Sequence, residues 1–158
     1  MKKNRLCAIS IILLLVVISL SCIPKQITIQ GSSMSPTIKH GETVYFKVIT
    51  EDIKRSDIVY MKNPKESFYM IARIVGLPKE EIRIKDNKVY VNGQILTEEY
   101  VSPENNKRRL KEGDFKVEEN KYLVLGDNRD NSLDSRYFGL VERDKILAVY
   151  NYTVKKSE

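Results

Sequence analysis

The sequence predicts a mostly β fold preceded by one transmembrane helix, on three observations. A single long apolar run, residues 6–23, lies near the N-terminus. Beyond it, short segments rich in Val, Ile, Tyr and Phe alternate with turn residues at the spacing of an all-β domain. One of those turns, Asn92-Gly93, supplies the two positive-φ residues that a type I′ hairpin needs.

The apolar run would form about 27 Å of helix, close to one hydrocarbon core. Lys2, Lys3 and Arg5 precede it, so the N-terminus is expected in the cytoplasm and the chain from about Lys25 onward outside. A cleaved signal peptide is the competing reading. Ser19-Leu20-Ser21-Cys22 resembles a lipoprotein processing site, although Ser19 fits such sites poorly. Length and flanks favour an uncleaved anchor. Both cysteines, Cys7 and Cys22, fall in this run, about 22 Å apart in a helix and too far for one disulfide. The rest must be held by its core, and with His40 as the one histidine no zinc site or other cofactor is expected.

Residues 26–30 read as a short extended linker. Residues 31–37, Gly-Ser-Ser-Met-Ser-Pro-Thr, then form a turn that can present a serine hydroxyl. Gly31 tolerates backbone angles closed to other residues, and Pro36 restricts Ser35. Ser33 would lie no more than ~35 Å from the membrane exit. Strands are expected at 42–48, 57–61, 68–75, 81–85, 88–91 and 122–125, with Asp86-Asn87 and Asn92-Gly93 as turns of a small sub-sheet around 81–97. Residues 102–120 turn polar and charged, a solvated excursion whose Lys107-Arg108-Arg109 triplet is either a wet face or a lipid contact. Twenty-seven Lys and Arg against 21 Asp and Glu give +6, suited to anionic headgroups. No recognition motif accompanies the scattered charge, and nucleic acid is not an expected partner.

Residues 126–139 hold Asp, Asn and Ser at a density that braces a loop internally, and Asp134 with Arg136 can form a charge-assisted pair. The run Gly126-Asp127-Asn128-Arg129-Asp130-Asn131-Ser132-Leu133-Asp134-Ser135-Arg136 resembles that of type I signal peptidases. So do Ser33-Met34-Ser35-Pro36-Thr37, Ser56-Asp57-Ile58-Val59 and Arg73-Ile74-Val75-Gly76-Leu77-Pro78.

The resemblance implies a membrane-bound serine endopeptidase that cuts signal peptides from exported preproteins on the outer side of the membrane. It implies residues 1–25 as cytoplasmic tail and anchor and 26–158 as the catalytic domain, a partly barrel-shaped β core with a smaller β insertion at about 79–121. Ser33 falls on the nucleophile, Ser132 on the serine that orients the general base, and Asp134 and Arg136 on a structural ion pair. Gly31, Met34, Arg73 and Asp127 support the site. The partners implied are exported preproteins and membrane lipid, and the location is the cell membrane, single-pass.

In this family the general base is a lysine immediately before the Arg-x-Val-Gly-Leu-Pro segment; here that position is Ala72. A serine hydroxyl needs a base at neutral pH, and Arg73 stays protonated and points to the other face of its strand. Lys62, Lys65 and His40 are the remaining candidates, each read first as a solvated residue. Two functions follow: a signal peptidase acting through Ser33 with a slow or non-family base, or a catalytically degenerate homologue serving exported proteins as an accessory or assembly factor.

Overall fold

A computed structural model describes residues 25–154 except residue 109. The apolar run 6–23 and both cysteines lie outside the described residues. Among those described, no helix is long and apolar enough to cross a membrane.

Among the described residues, eleven strands form two antiparallel sheets. The larger runs in the order β1-β2-β11-β3-β4-β9-β10, from β1 (Lys25–Thr28), β2 (Thr43–Val48), β3 (Ile58–Lys62), β4 (Tyr69–Gly76), β9 (Lys121–Leu125), β10 (Val141–Glu142) and β11 (Ile146–Val154). The smaller runs β7-β6-β5-β8, from β5 (Glu81–Lys85), β6 (Lys88–Val91), β7 (Gln94–Ile95) and β8 (Gly113–Lys116). The mostly β expectation holds, but the larger sheet ends at β1 and β10 and does not close into a barrel.

The expected strands recur to within a residue at either end, and both hairpin turns form with positive φ: Asp86 at 48° and Asn87 at 58°, Asn92 at 50° and Gly93 at 81°. Three readings change. Residues 25–28 pair with β2, from Lys25↔Phe46 to Thr28↔Thr43, rather than forming a linker. The C-terminal strand β11, not anticipated, lies between β2 and β3 and joins the two hairpins of the larger sheet. Residues 102–120 are no free excursion: Leu110 and Val117 are buried and 113–116 form an edge strand.

The alternating pattern places Ile82, Ile84 and Val89 on the inner face of the smaller sheet, against Val75, Leu123 and Leu125 of the larger one. Each such aliphatic side chain contributes about 1.5–3 kcal/mol when fully buried. The sheets meet at Gly76, where a Cβ would come within 2.9 Å of both Ile82 and Leu123. Arg55 spans the junction, donating from Nη1 to the Val75 carbonyl and from Nη2 to Glu80 Oε1, each at 2.5 Å.

Candidate functional site

The 31–37 turn follows β1 and is held from below by its own apolar residues. Met34 and Ile38 are buried beside Val44 and Phe46, which leaves the intervening polar residues toward the surface and Ser33 half-buried. Two internal bonds close the turn, Ser35 N to Ser32 O at 3.0 Å and Ile38 N to Met34 O at 2.9 Å. Gly31 has φ +99° with open space where a Cβ would sit, so backbone conformation is what demands glycine there. Its N–H donates to His40 Nδ1 at 3.1 Å, an acceptor role open only to a ring unprotonated at that nitrogen. His40 thus braces the turn, where the sequence suggested a free surface residue.

The loop after β9 grips the same turn from the other side. Asn128 N donates to the Ser33 carbonyl and Asn131 Nδ2 to Ser32 Oγ, both at 2.9 Å. Gly126 lies between the two serines: a Cβ there would sit 2.2 Å from Ser132 Oγ and 2.7 Å from the Ser33 carbonyl oxygen. Glycine is therefore required by space, and its absence of a side chain lets Ser132 and the Ser33 backbone meet.

The β4–β9 ladder pairs Arg73 with Leu125 and Ile74 with Val124. That ladder ends one residue short of Ala72, whose buried methyl lies on the same face of β4 as Ile74. That methyl packs in a cluster with Val59, Ile74, Val124 and Phe138 and bears no proton acceptor. Lys65 Nζ donates instead to the Tyr137 carbonyl at 3.3 Å, and Lys62 is exposed. Among the described residues, no hydrogen bond joins a lysine or histidine nitrogen to Ser33 Oγ.

Arg73 points away from Ala72, as strand alternation requires, and is consumed by structure. Its Nε and Nη2 donate to Asp127 Oδ1 and Oδ2 at 2.7 and 2.5 Å, its Nη1 to the Ser56 carbonyl at 2.8 Å, and its guanidinium lies 3.9 Å from the Tyr100 ring centre. Thr37 Oγ1 donates to Asp127 Oδ2 at 2.5 Å, tying the far end of the serine turn to this pair. Asp134 binds Arg136 in the same two-pronged way, at 2.8 and 2.7 Å, and its Oδ2 also accepts the Gly126 N–H at 3.1 Å. The expected ion pair is present and braces the glycine on which the two serines converge.

A strap from the smaller sheet completes the assembly. Glu98 forms a third buried pair with Arg129, at 2.9 and 2.5 Å, while Arg129 Nε donates to the Gly126 carbonyl at 3.1 Å. Burial alone would lower the Arg129 pKa; its bonds and charge interaction with Glu98 outweigh that and raise it. Tyr100 donates to Glu98 Oε1 at 2.8 Å, and burial followed by the Glu98 charge pushes its pKa up. Asn105 Nδ2 donates to the Ser35 carbonyl at 3.0 Å. Asp130 accepts the consecutive N–H groups of Lys107 and Arg108, both at 2.9 Å. Sequence reasoning missed Glu98, Tyr100 and Asn105, because the partners that tie them to the site, Arg129, Arg73 and Ser35, stand some 30 to 70 positions away.

The family described as signal peptidase, peptidase S26, matches residues 2–154. Signal peptidase I P of Bacillus subtilis subsp. natto is 36% identical over 155 residues, covering 90% of this chain and 83% of that protein. A Bacillus licheniformis signal peptidase I is 34% identical over 161 residues, 92% of this chain and 86% of the relative. The crystal structure of an Enterococcus faecalis signal peptidase I matches with a TM-score of 0.55 and 32% identity, over 63% of this chain and 97% of the other.

Proposed function

The chain belongs to the signal peptidase family, peptidase S26, and from that premise we propose that it is a signal peptidase I that cuts N-terminal signal peptides from exported preproteins. Ser33 is the nucleophile of this reading. The approach of Ser132 Oγ and the Ser33 backbone carbonyl to one another over side-chain-free Gly126 is the observation that supports it, since it brings the segment of the nucleophile beside the orienting serine. Residues 6–23 anchor the chain, with residues 26–158 outside the cytoplasm as the catalytic domain and about 79–121 as its insertion. Membrane lipid and the signal-peptide region of preproteins are its partners, and nucleic acid is not one.

The reaction is an acyl transfer. Ser33 Oγ adds to the scissile carbonyl as its proton passes to an acceptor, the tetrahedral oxyanion collapses with cleavage of the C–N bond as that proton is given to the departing amine, and water then hydrolyses the acyl ester and restores the Ser33 hydroxyl. Gly31, Met34, Arg73, Asp127, Asp134 and Arg136 hold the turn and loop that set this geometry. Ala72 supplies no base, so the Ser33 proton passes to a weaker acceptor such as water and turnover is slow.

Ala72 favours a second reading, a homologue that keeps the fold but serves exported chains as an accessory or assembly factor without cutting them. Cleavage of a preprotein by the full chain in lipid separates the two. Ser33→Ala abolishes cleavage in the first reading. Ala72→Lys raises it about 10² to 10⁴-fold, the contribution of a placed general base, and the gain disappears when Ser33→Ala is added. No cleavage by either wild type or a folded Ala72→Lys protein makes the accessory role the better account.

A further inference from the structure

The serine turn is gripped from two sides, and the signal peptidase reading uses only one of them. The 126–131 loop holds Ser33 O and Ser32 Oγ through Asn128 and Asn131. From the opposite direction, Asn105 reaches out of the strap to the Ser35 carbonyl at 3.0 Å, across 70 positions of sequence. The strap is not loose where it makes this contact. Ser102 caps the single helical turn Pro103–Asn105 by accepting the Glu104 N–H. Asn87, at the β5–β6 turn, donates to the carbonyls of Asn106 and Arg108 and accepts the Leu110 N–H. Asp130 receives two successive strap N–H groups, and Glu98 pairs with Arg129. Asn105 is therefore presented by a strap fastened both to its own sheet and to the loop that carries Ser132.

We propose that Asn105 is a positioning residue for Ser33: by donating to the Ser35 carbonyl from a strap that Asp130 locks to the Ser132 loop, it fixes the turn that aims the nucleophile. Ser35 is two residues from Ser33, and its N–H already closes the turn onto Ser32 O, so its peptide unit sets the direction of the whole segment. An anchored carbonyl holds the turn in this backbone arrangement; a released one lets Ser35 move beneath a strap that its other bonds still hold. Asn105 touches no reacting atom in this account and acts through Ser35 alone. The smaller sheet thereby reaches the serine turn itself, besides pairing Glu98 with Arg129 and packing against the larger sheet.

This proposal rests on the signal peptidase reading for its catalytic consequence but not for its structural one, and the experiment reads both. Full-length protein in lipid nanodiscs is compared as wild type, Asn105→Ala, Asn105→Asp and Lys107→Ala. Asp keeps the shape of Asn but cannot donate, and Lys107→Ala alters the strap while leaving the backbone N–H that Asp130 accepts. Hydrogen exchange across 31–38 is expected to speed up about three- to tenfold in both Asn105 variants, the size of one lost hydrogen bond, with Asp at the larger end because its charge faces a carbonyl. Exchange elsewhere stays put, and Lys107→Ala matches wild type in exchange across 31–38. With a preprotein substrate, measured in both the natural and the Ala72→Lys background, kcat falls by about the same factor while KM is unchanged. Unchanged exchange at 31–38 in Asn105→Asp overturns the proposal whatever the protein does to preproteins. Changed exchange with an unmoved kcat in a cleaving background also overturns it, leaving Asn105 a structural residue only. Absent cleavage in every form, with exchange altered at 31–38, retains the positioning contact and removes the signal peptidase reading.

Discussion

Two regions of this molecule use the same ion-pair chemistry to opposite ends. Around the serine turn, Arg73–Asp127, Arg129–Glu98 and Arg136–Asp134 are two-pronged and buried, with the Arg136 and Asp134 side chains 1% and 0% exposed. On the outer face of the smaller sheet, Arg83–Asp114 sits at 63% and 70% exposure, and Lys79–Glu119 is similarly open. The exposed pairs are screened and free to exchange with water, so they add little to stability. The buried ones lose hydration that only fixed geometry returns, and breaking one leaves an uncompensated charge. Burial, rather than the number of ion pairs, marks where the chain spends charge on holding a shape. At this site the shape is a backbone: the Asp134 and Arg129 side chains each take one polar group of Gly126.

The largest effect that would sharpen this contrast is expected for Asp134→Ala, which strands the Arg136 guanidinium and frees the Gly126 N–H. Stability should drop by about 3 to 5 kcal/mol, read as a shift of the denaturant midpoint at constant slope. A shift below about 1 kcal/mol would mean the pair does not organise the loop. Gly126→Ala tests the same place through space instead of charge. Its methyl must displace Ser132 Oγ or the Ser33 carbonyl, and overpacking of this kind costs about 1 to 3 kcal/mol. Cleavage should fall further than that loss of stability explains, because the two serines are forced apart; retention of full cleavage would remove Gly126 from the site. Smallest of all is Arg83→Ala, whose midpoint should match wild type within error. A loss approaching that of Asp134→Ala would erase the distinction between the two regions.

How much of this was legible beforehand follows from the range of each interaction. The β5–β6 and β6–β7 hairpins were readable because Asp86-Asn87 and Asn92-Gly93 carry their turn geometry within two residues. The Asp134–Arg136 pair was readable for the same reason, since its partners are two positions apart. Strand β11 carries a local signal, since Ile146–Val154 is rich in Val and Tyr, but its place between β2 and β3 rests on pairings about 85 to 110 positions away in sequence. The strap reads as solvent-facing from its charge, yet at Lys107 and Arg108 it is the backbone N–H that binds Asp130, and a backbone donor leaves no trace in residue type.

The sequence by itself determined the β character, the two tight turns, the serine-bearing turn with its positive-φ Gly31, and the alanine at position 72 where a base would stand. These depend on local sterics, on side-chain periodicity, or on the identity of one residue. Only the tertiary structure decided that β11 joins the two hairpins, that Gly126 is empty because Ser132 and the Ser33 carbonyl fill its place, and that Glu98, Tyr100 and Asn105 come from the smaller sheet to clasp the site. Those outcomes turn on contacts between residues tens of positions apart, whose free energy exists only once the two sheets have packed and excluded water between them.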